Sequence, residues 1–154
     1  MEEESEELYA TAQVLLDAQT GSFTSEVSEL LDYVGSTLLV MDRVTVNPQW
    51  RGHGLASVLA SEAIHRLMAG CRAVACSPGI SDLGGPHPMD RSEWDRVTAK
   101  ITRGWERIGF RLYRDGVYLL SPTSQELEEQ RGVLRGQLVE LGASWRRATS
   151  APPP

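Results

Sequence analysis

The segment from residue 37 to residue 69 constrains the fold of this chain more than any other. Residues 37–46 are mostly apolar or β-branched, which predicts a strand, and Asn47-Pro48 ends it because proline cannot donate to a strand ladder. Gly52 and Gly54 then predict a tight turn. Residues 54–69 have helical periodicity, with a predicted inward face of Leu55, Leu59, Ala63 and Leu67.

A second buried strand is predicted at residues 72–76, a short apolar run between glycine and proline. Because a helix of crossover length separates the two strands, they are expected to be parallel, with a right-handed connection. Residues 110–114 and 117–120 flank Asp115-Gly116, a dipeptide typical of β-hairpins. The chain is therefore predicted to have an α/β fold with a mixed sheet.

The remaining segments are predicted to be helices and one long loop. Helical spacing occurs at residues 4–18, and Thr24 or Ser25 begins a short helix whose apolar stripe is Val27, Leu30, Leu31 and Val34. Residues 77–89 form a loop rich in proline and glycine, and Asp90 with Glu93 caps the helix that follows. A last helix is predicted at 122–148, after a domain at 1–121, with a disordered tail at 149–154.

Composition and charge exclude several classes of partner. The formal net charge of −6 argues against nucleic acid, because no basic stripe is available to neutralise phosphates. No apolar run approaches the roughly 18 residues of a membrane span, and the acidic start is unlike a secretory signal. We therefore expect a cytoplasmic protein. Cys71 and Cys76 have no companion ligands at metal-binding spacing, so no metal site is expected.

The turn at residues 49–56 has the features of a phosphate-binding site. Glycines allow the backbone to approach a ligand closely, and the start of the following helix presents unpaired N–H groups and the positive end of its dipole. Arg51 adds a positive charge next to the two glycines. Neither a Walker A ending nor the three glycines of a dinucleotide fingerprint is present, since Ser57 occupies the third glycine position.

Residues 44–56, Val-Thr-Val-Asn-Pro-Gln-Trp-Arg-Gly-His-Gly-Leu-Ala, resemble the signature of the GNAT superfamily of N-acetyltransferases, Q/R-x-x-G-x-G/A. The pattern fits in two registers, one beginning at Gln49 and one at Arg51. Residues 105–110, with the hairpin after them, are similar to the end of that family's helix and its closing strands. The resemblance extends over residues 37–121, the motif-bearing core of the chain.

This resemblance implies a mixed sheet that splays between its fourth and fifth strands and holds acetyl-CoA in the split as the acetyl donor. By position, the backbone of Val44, Thr45 and Val46 would pair with the pantetheine arm. Ser77 would contact the pantetheine from the next strand. The residues that would surround the pyrophosphate are Arg51, Gly52, His53, Gly54, Leu55 and Ala56.

For the chemistry, the family scheme needs a base that removes the proton of the acceptor ammonium group. Asp42 is the best candidate, because strand alternation would turn it to the same face as Val44. An equally weighted alternative is a strand-end aspartate paired with a neighbouring arginine. Trp105 lies near the position where relatives carry a tyrosine that acts as the general acid. Its helical spacing indicates a core residue.

The family usually has two or three strands before the motif strand, whereas residues 1–36 here are predicted to be helical. We therefore expect a reduced N-terminal part, through truncation or variation, and an additional C-terminal helix that covers the sheet edge or forms a homodimer. The resemblance implies an N-acetyltransferase acting on an amine of a small molecule or peptide. The alternative is an acyl-CoA-binding or protein-interaction module with weak or no catalysis.

Overall fold

The structure, a computed structural model, describes residues 2–32, 34–78 and 90–150. Most of the predicted loop, residues 79–89, lies outside the described residues. In chain order the elements are α1 (Glu2–Leu15), α2 (Ser25–Leu30), β1 (Leu38–Met41), a 3₁₀ turn (Pro48–Trp50), α3 (Leu55–Leu67), β2 (Ala73–Cys76), α4 (Arg91–Ile108), β3 (Arg111–Arg114), β4 (Val117–Leu120) and α5 (Gln125–Ser150).

Four strands form one mixed sheet in the order β1-β2-β4-β3. β1 and β2 are parallel, in a register that runs from Leu38 opposite Ala73 to Met41 opposite Cys76. β4 is antiparallel to both β2 and β3. The predicted β1-α3-β2 unit and the mixed α/β class are confirmed.

The hairpin between β3 and β4 turns at the predicted dipeptide. Asp115 has φ +50° and Gly116 has φ +76°, so both residues are left-handed. Turns with two left-handed residues match the twist of the strands that they join, and Asp-Gly adopts them at low cost. The predicted hairpin is confirmed.

Helices cover both faces of the sheet because β2 is apolar on both sides. Ala73 and Ala75 face a core with α1 and α2, whereas Val74 and Cys76 face a core with α3, α4 and α5. All four residues of β2 are buried, as expected for a strand covered on both faces. The molecule therefore has three layers, with the sheet in the middle.

The α1–α2 layer is joined to the sheet by Leu15, Phe23, Val27 and Leu31, all of which are buried. Thr24 caps α2, and its hydroxyl accepts a hydrogen bond from the Val27 amide at 3.3 Å. The predicted apolar stripe is only half right, because Leu30 and Val34 are exposed. Leu31 has extended backbone and ends the helix, so Val34 lies beyond it.

α3 packs through a different face from the one predicted. Val58, Ser61 and Ile64 are buried, whereas Leu59 and Leu67 are exposed. The Ser57 hydroxyl donates to the Gly104 carbonyl of α4 at 3.3 Å. Small residues allow two helices to approach closely, and this contact turns the serine face inward instead of the leucine face.

α5 is part of the core and not an addition to it. Leu127 and Leu134 are buried in the cluster that contains Val74 and Phe110. The helix packs along α3 and α4, not along the edge strand β1. It extends to Ser150, beyond the predicted end at 148, and residues 151–154 of the predicted tail lie outside the described residues.

Two further expectations concern the N-terminal part of the chain and helices that could span a membrane. Ahead of β1, residues 2–32 form two helices and an isolated bridge between Leu16 and Phe23, without a strand, so the predicted helical N-terminal part is confirmed. Within the described ranges, every helix is too short or too polar to cross a lipid bilayer.

Candidate functional site

The pairing of the parallel strands β1 and β2 stops at their carboxyl ends, and the point beyond the last pair is termed the split. Their last pair is Met41 with Cys76, after which residues 42–47 leave the sheet and Ser77 begins the next loop. The predicted strand at 37–46 is therefore too long, because none of the described residues pairs with 42–46. In open α/β sheets, the carboxyl ends of adjacent strands are where ligands usually bind.

Val44, Thr45 and Val46 lie on the side of this split that belongs to the first strand. All three are outside the sheet, so within the described part of the chain their backbone has no ladder partner. Val44 packs against the core on the α3 side, whereas Thr45 is exposed. The Val46 carbonyl, one of the backbone groups predicted to pair with the pantetheine arm, accepts a hydrogen bond from Arg51 Nε at 2.8 Å.

The turn that follows is held by short-range hydrogen bonds. Asn47 Oδ1 accepts from the Gln49 amide at 3.3 Å, and the Asn47 carbonyl accepts from the Trp50 amide at 2.9 Å. Pro48 begins the 3₁₀ turn, where its fixed φ is favourable and no donor is needed. The sequence Asn-Pro therefore ends the strand and shapes the approach to the glycines.

Gly52 and Gly54 have φ values of +85° and +75°. A Cβ atom at either position would meet no atom within 4 Å. The glycines are therefore required by backbone conformation and not by packing, and the space beside them is open. Arg51 and His53, which alternate with the glycines, are exposed.

Gly54 is the N-cap of α3, a helix of 13 residues, and has no side chain of its own to accept a hydrogen bond from the first turn. Its carbonyl begins the helical ladder by accepting from the Val58 amide at 3.5 Å. The preceding amides, on Leu55, Ala56 and Ser57, belong to the first turn, which has no intrahelical acceptors. Leu55 is half-buried and Ala56 is exposed. An anion is favoured at such a helix start.

Asp42 lies just beyond the end of β1 and is exposed. It lines a small hollow with Glu7, Leu8 and Thr11 of α1, and with Ser77 across the split. The expectation that Asp42 and Val44 share a face is wrong, because the strand ends between Met41 and Asp42 and the alternation ends with it. Among the described residues, no arginine forms an ion pair with Asp42.

A groove of about 580 Å³ adjoins this hollow on the α1–α2 side of the sheet. Glu7, Thr11 and Ser77 line both spaces, so the two are adjacent. Arg114 and Asp115 of the hairpin form its far wall, and Arg114 is paired with Glu26 at 2.5 Å. The groove has room for a small molecule next to Asp42 and the split.

Cys76 is at the mouth of the split but does not act as a nucleophile. Its side chain is buried, and this burial raises the pKa of the thiol far above its ordinary value. A buried thiol stays protonated, and the thiolate is the reactive form. Trp105 packs edge-on against Phe110, with ring centroids 5.3 Å apart, which confirms the prediction that it is a core residue.

Three residues of the site were not predicted from the sequence. Glu7 and Thr11 line the groove from α1, and Trp145 of α5 contacts Trp50 beside the glycine turn, with ring centroids 5.2 Å apart. The only available signal was the leucine spacing of α5, which continues to Trp145. This spacing predicts which face of α5 packs inward, but it does not predict which element that face contacts.

Comparison with family models, with curated proteins and with solved structures finds no match to this chain. Among the described residues, no cluster of His, Cys, Asp or Glu side chains is arranged to hold a metal ion. The chemistry of the site therefore rests on the split, the turn and the groove.

Proposed function

We propose that the chain is an N-acetyltransferase that uses acetyl-CoA as the acetyl donor and an amine of a small molecule or peptide as the acceptor. The observation that carries this proposal is the continuity of two features. The pairing of β1 with β2 stops at Met41 and Cys76, and the chain that leaves β1 continues into a left-handed glycine turn that begins α3. A long ligand with a diphosphate at one end matches this geometry.

The described residues fit the donor in three places. The amides from Gly52 to Ala56 would bind the pyrophosphate, with the Arg51 guanidinium nearby. The backbone of Val44 and Thr45, which has no ladder partner among the described residues, would bind the amides of the pantetheine arm, as a strand partner does. Ser77 would contact the arm from the other side of the split. The resemblance to the GNAT superfamily implies a mixed sheet that splays at the position of this split.

The acceptor would lie in the groove beside Asp42. The Asp42 carboxylate would take a proton from the acceptor ammonium group, directly or through water, which leaves a neutral amine. The amine nitrogen then forms a bond to the acetyl carbonyl carbon, and the carbon–sulfur bond breaks. The thiolate leaves and takes a proton from solvent, and the nitrogen, which is cationic once bonded to the acetyl carbon, loses its second proton to solvent. Holding both reactants in one cleft supplies much of the rate enhancement.

Titration calorimetry and thermal unfolding with acetyl-CoA test the donor site. A ligand that binds only the folded state raises the melting temperature by mass action, so we expect both heat and a higher melting temperature. Release of free thiol from acetyl-CoA in the presence of a panel of amines then tests transfer. Absence of both heat and a melting shift would refute the proposed donor site.

The second candidate is an acyl-CoA-binding or protein-interaction module that associates as a homodimer. It is favoured by the exposed apolar side chains Val133, Leu138 and Val139 on α5 and by the edge position of β1. Such a module would bind acetyl-CoA without releasing thiol for any amine. Sedimentation analysis would report whether two copies associate.

A further inference from the structure

Trp50 and Trp145 form an exposed aromatic pair beside the glycine turn. Their ring centroids are 5.2 Å apart and their planes are inclined by 46°. Trp50 is 37% exposed and Trp145 is 56% exposed, so a large area of both rings faces solvent. Trp105, by contrast, is half-buried and packs edge-on against the buried Phe110.

The position of Trp145 follows from the way α5 packs. Glu128, near the start of α5, contacts His65, near the end of α3, and Arg131 and Arg135 pair with Glu62 one turn earlier on α3. The two helices are therefore antiparallel. The last turns of α5 must lie next to the start of α3, where Trp50 precedes the turn.

We propose that Trp50 and Trp145 form the binding platform for the purine base of the acetyl donor. This inference rests on the proposed function, because the diphosphate on the glycine turn places the attached nucleoside close to Trp50. Exposed aromatic rings next to a phosphate site bind nucleobases by stacking. Arg146 and Arg147, in the last turns of α5, add positive charge at the same end of the helix.

A structural role for the pair would be to hold α5 against the turn, and it predicts different behaviour. A platform distinguishes ligands with a purine from ligands without one. A helix clamp does not. The experiment therefore compares three probes: acetyl-CoA, adenosine 3′,5′-bisphosphate, which lacks the pantetheine arm, and acetyl-pantetheine, which lacks the nucleotide.

The variant is Trp145→Ala, and Trp145→Phe is the conservative replacement. We expect Trp145→Ala to weaken acetyl-CoA and adenosine bisphosphate by about tenfold, the scale of a lost base–aromatic stack, and to leave acetyl-pantetheine unchanged. Trp145→Phe should restore most of the loss, since a phenyl ring still stacks. Binding of adenosine bisphosphate to the native protein should also change its tryptophan fluorescence.

Val139→Ala is the matched control, because Val139 is exposed on the same helix. It should leave all three affinities unchanged. Equal loss for acetyl-CoA and acetyl-pantetheine in Trp145→Ala would overturn the platform, as would no loss of adenosine bisphosphate affinity. If Trp145→Ala weakens both purine ligands but no amine is acetylated, the platform stands and the enzymatic proposal fails. If the native protein binds none of the probes, both fail.

Discussion

At the scale of single residues, the glycines of the turn combine a left-handed backbone with open surroundings. Gly52 and Gly54 are left-handed, yet nothing lies within 4 Å of the position that a Cβ atom would occupy. Gly132, in the middle of α5, has the same open surroundings and no positive φ. The two kinds of glycine differ in backbone conformation and not in steric surroundings. Alanine substitutions at the two kinds of position therefore form a matched pair that isolates the cost of backbone strain from that of a steric clash.

We expect Gly54→Ala to lower the free energy of unfolding by about 1 kcal/mol, because an L-residue is disfavoured in the left-handed region. Acetyl-CoA affinity should fall as well, since the turn presents the amides. Gly132→Ala should instead raise the free energy of unfolding by about 1 kcal/mol, because alanine is favoured within a helix. Urea denaturation measures both, and a destabilised Gly132→Ala would contradict the comparison.

Asp42→Asn tests the proposed base. Asparagine keeps the size of the side chain but cannot accept the ammonium proton, so turnover should fall by about 100-fold. Acetyl-CoA affinity should stay unchanged, because Asp42 lies on the groove side of the split. Asp32→Asn, an exposed aspartate after α2, is the control. Equal turnover by the native protein and Asp42→Asn would exclude Asp42 as the base.

At the scale of elements, one carboxylate joins α3 to α5. Glu62 accepts two hydrogen bonds from Arg131, at 3.0 and 3.2 Å, and two from Arg135, at 2.8 and 3.1 Å. Bidentate arginine pairs fix geometry as well as charge. Because α5 carries Trp145 to the turn, this contact also sets where the C-terminal end of α5 lies.

The two arginines lower the pKa of Glu62 from 4.5 to about 2. The carboxylate is therefore favoured in the folded state, and its stabilising effect is present above pH 4.5 and lost as the pH falls toward 2. We expect Glu62→Gln to lower the melting temperature at neutral pH. The difference from the native protein should shrink between pH 4.5 and pH 2, in a series of thermal scans.

Glu140→Gln is the control for this series, since Glu140 is an exposed carboxylate on α5. Its effect should be small at every pH, as for most surface charges. A Glu62→Gln difference that stayed constant down to pH 2 would show that the charge of Glu62 contributes nothing.

Gly109 ends α4 and leads into β3. Its φ is +121°, and a Cβ atom there would lie 3.2 Å from Leu120 Cδ1. Gly109→Ala combines backbone strain with a tight contact, so we expect a loss of about 2 kcal/mol in the free energy of unfolding. Gly136→Ala, on an open helical position, should not destabilise. Urea denaturation measures the stability of both variants. Equal denaturation midpoints for Gly109→Ala and Gly136→Ala would contradict this explanation.

At the scale of the whole molecule, the sheet holds two cores, and α5 completes one of them. Leu127 and Leu134 are 1% and 2% exposed, in contact with residues from α3, α4 and the sheet. Each buried leucine contributes about 3 kcal/mol, which together is a large part of the 5–15 kcal/mol that stabilises a typical domain. We therefore expect the domain predicted at 1–121 to need α5 for its stability.

Two truncations test this dependence. A chain that ends after residue 143 keeps Leu127, Leu134 and the Glu62 pairs, and should unfold cooperatively. A chain that ends after residue 122 loses them and should not. Thermal unfolding followed by circular dichroism measures the difference, and a cooperative transition in the shorter chain would show that α5 is dispensable.

Local chemistry made much of this fold predictable. The parallel unit follows from apolar runs on either side of an amphipathic helix, the hairpin from Asp115-Gly116, and the cap of α4 from Asp90, whose carboxylate accepts from the Glu93 amide at 2.8 Å. Local conformational preference also predicted Gly52 and Gly54 as turn residues. Each feature depends on residues within a few positions of one another, and their conformational preferences are properties of the residues themselves.

Contacts between distant segments decided the rest. The end of β1 at Met41 depends on where β2 stops, the inward face of α3 on the approach of Gly104, and the separation of Asp42 from Val44 on both. The meeting of Trp50 and Trp145 requires α5 to be antiparallel to α3. Periodicity shows that a helix has an apolar face, but the partner of that face is selected by packing across the whole chain.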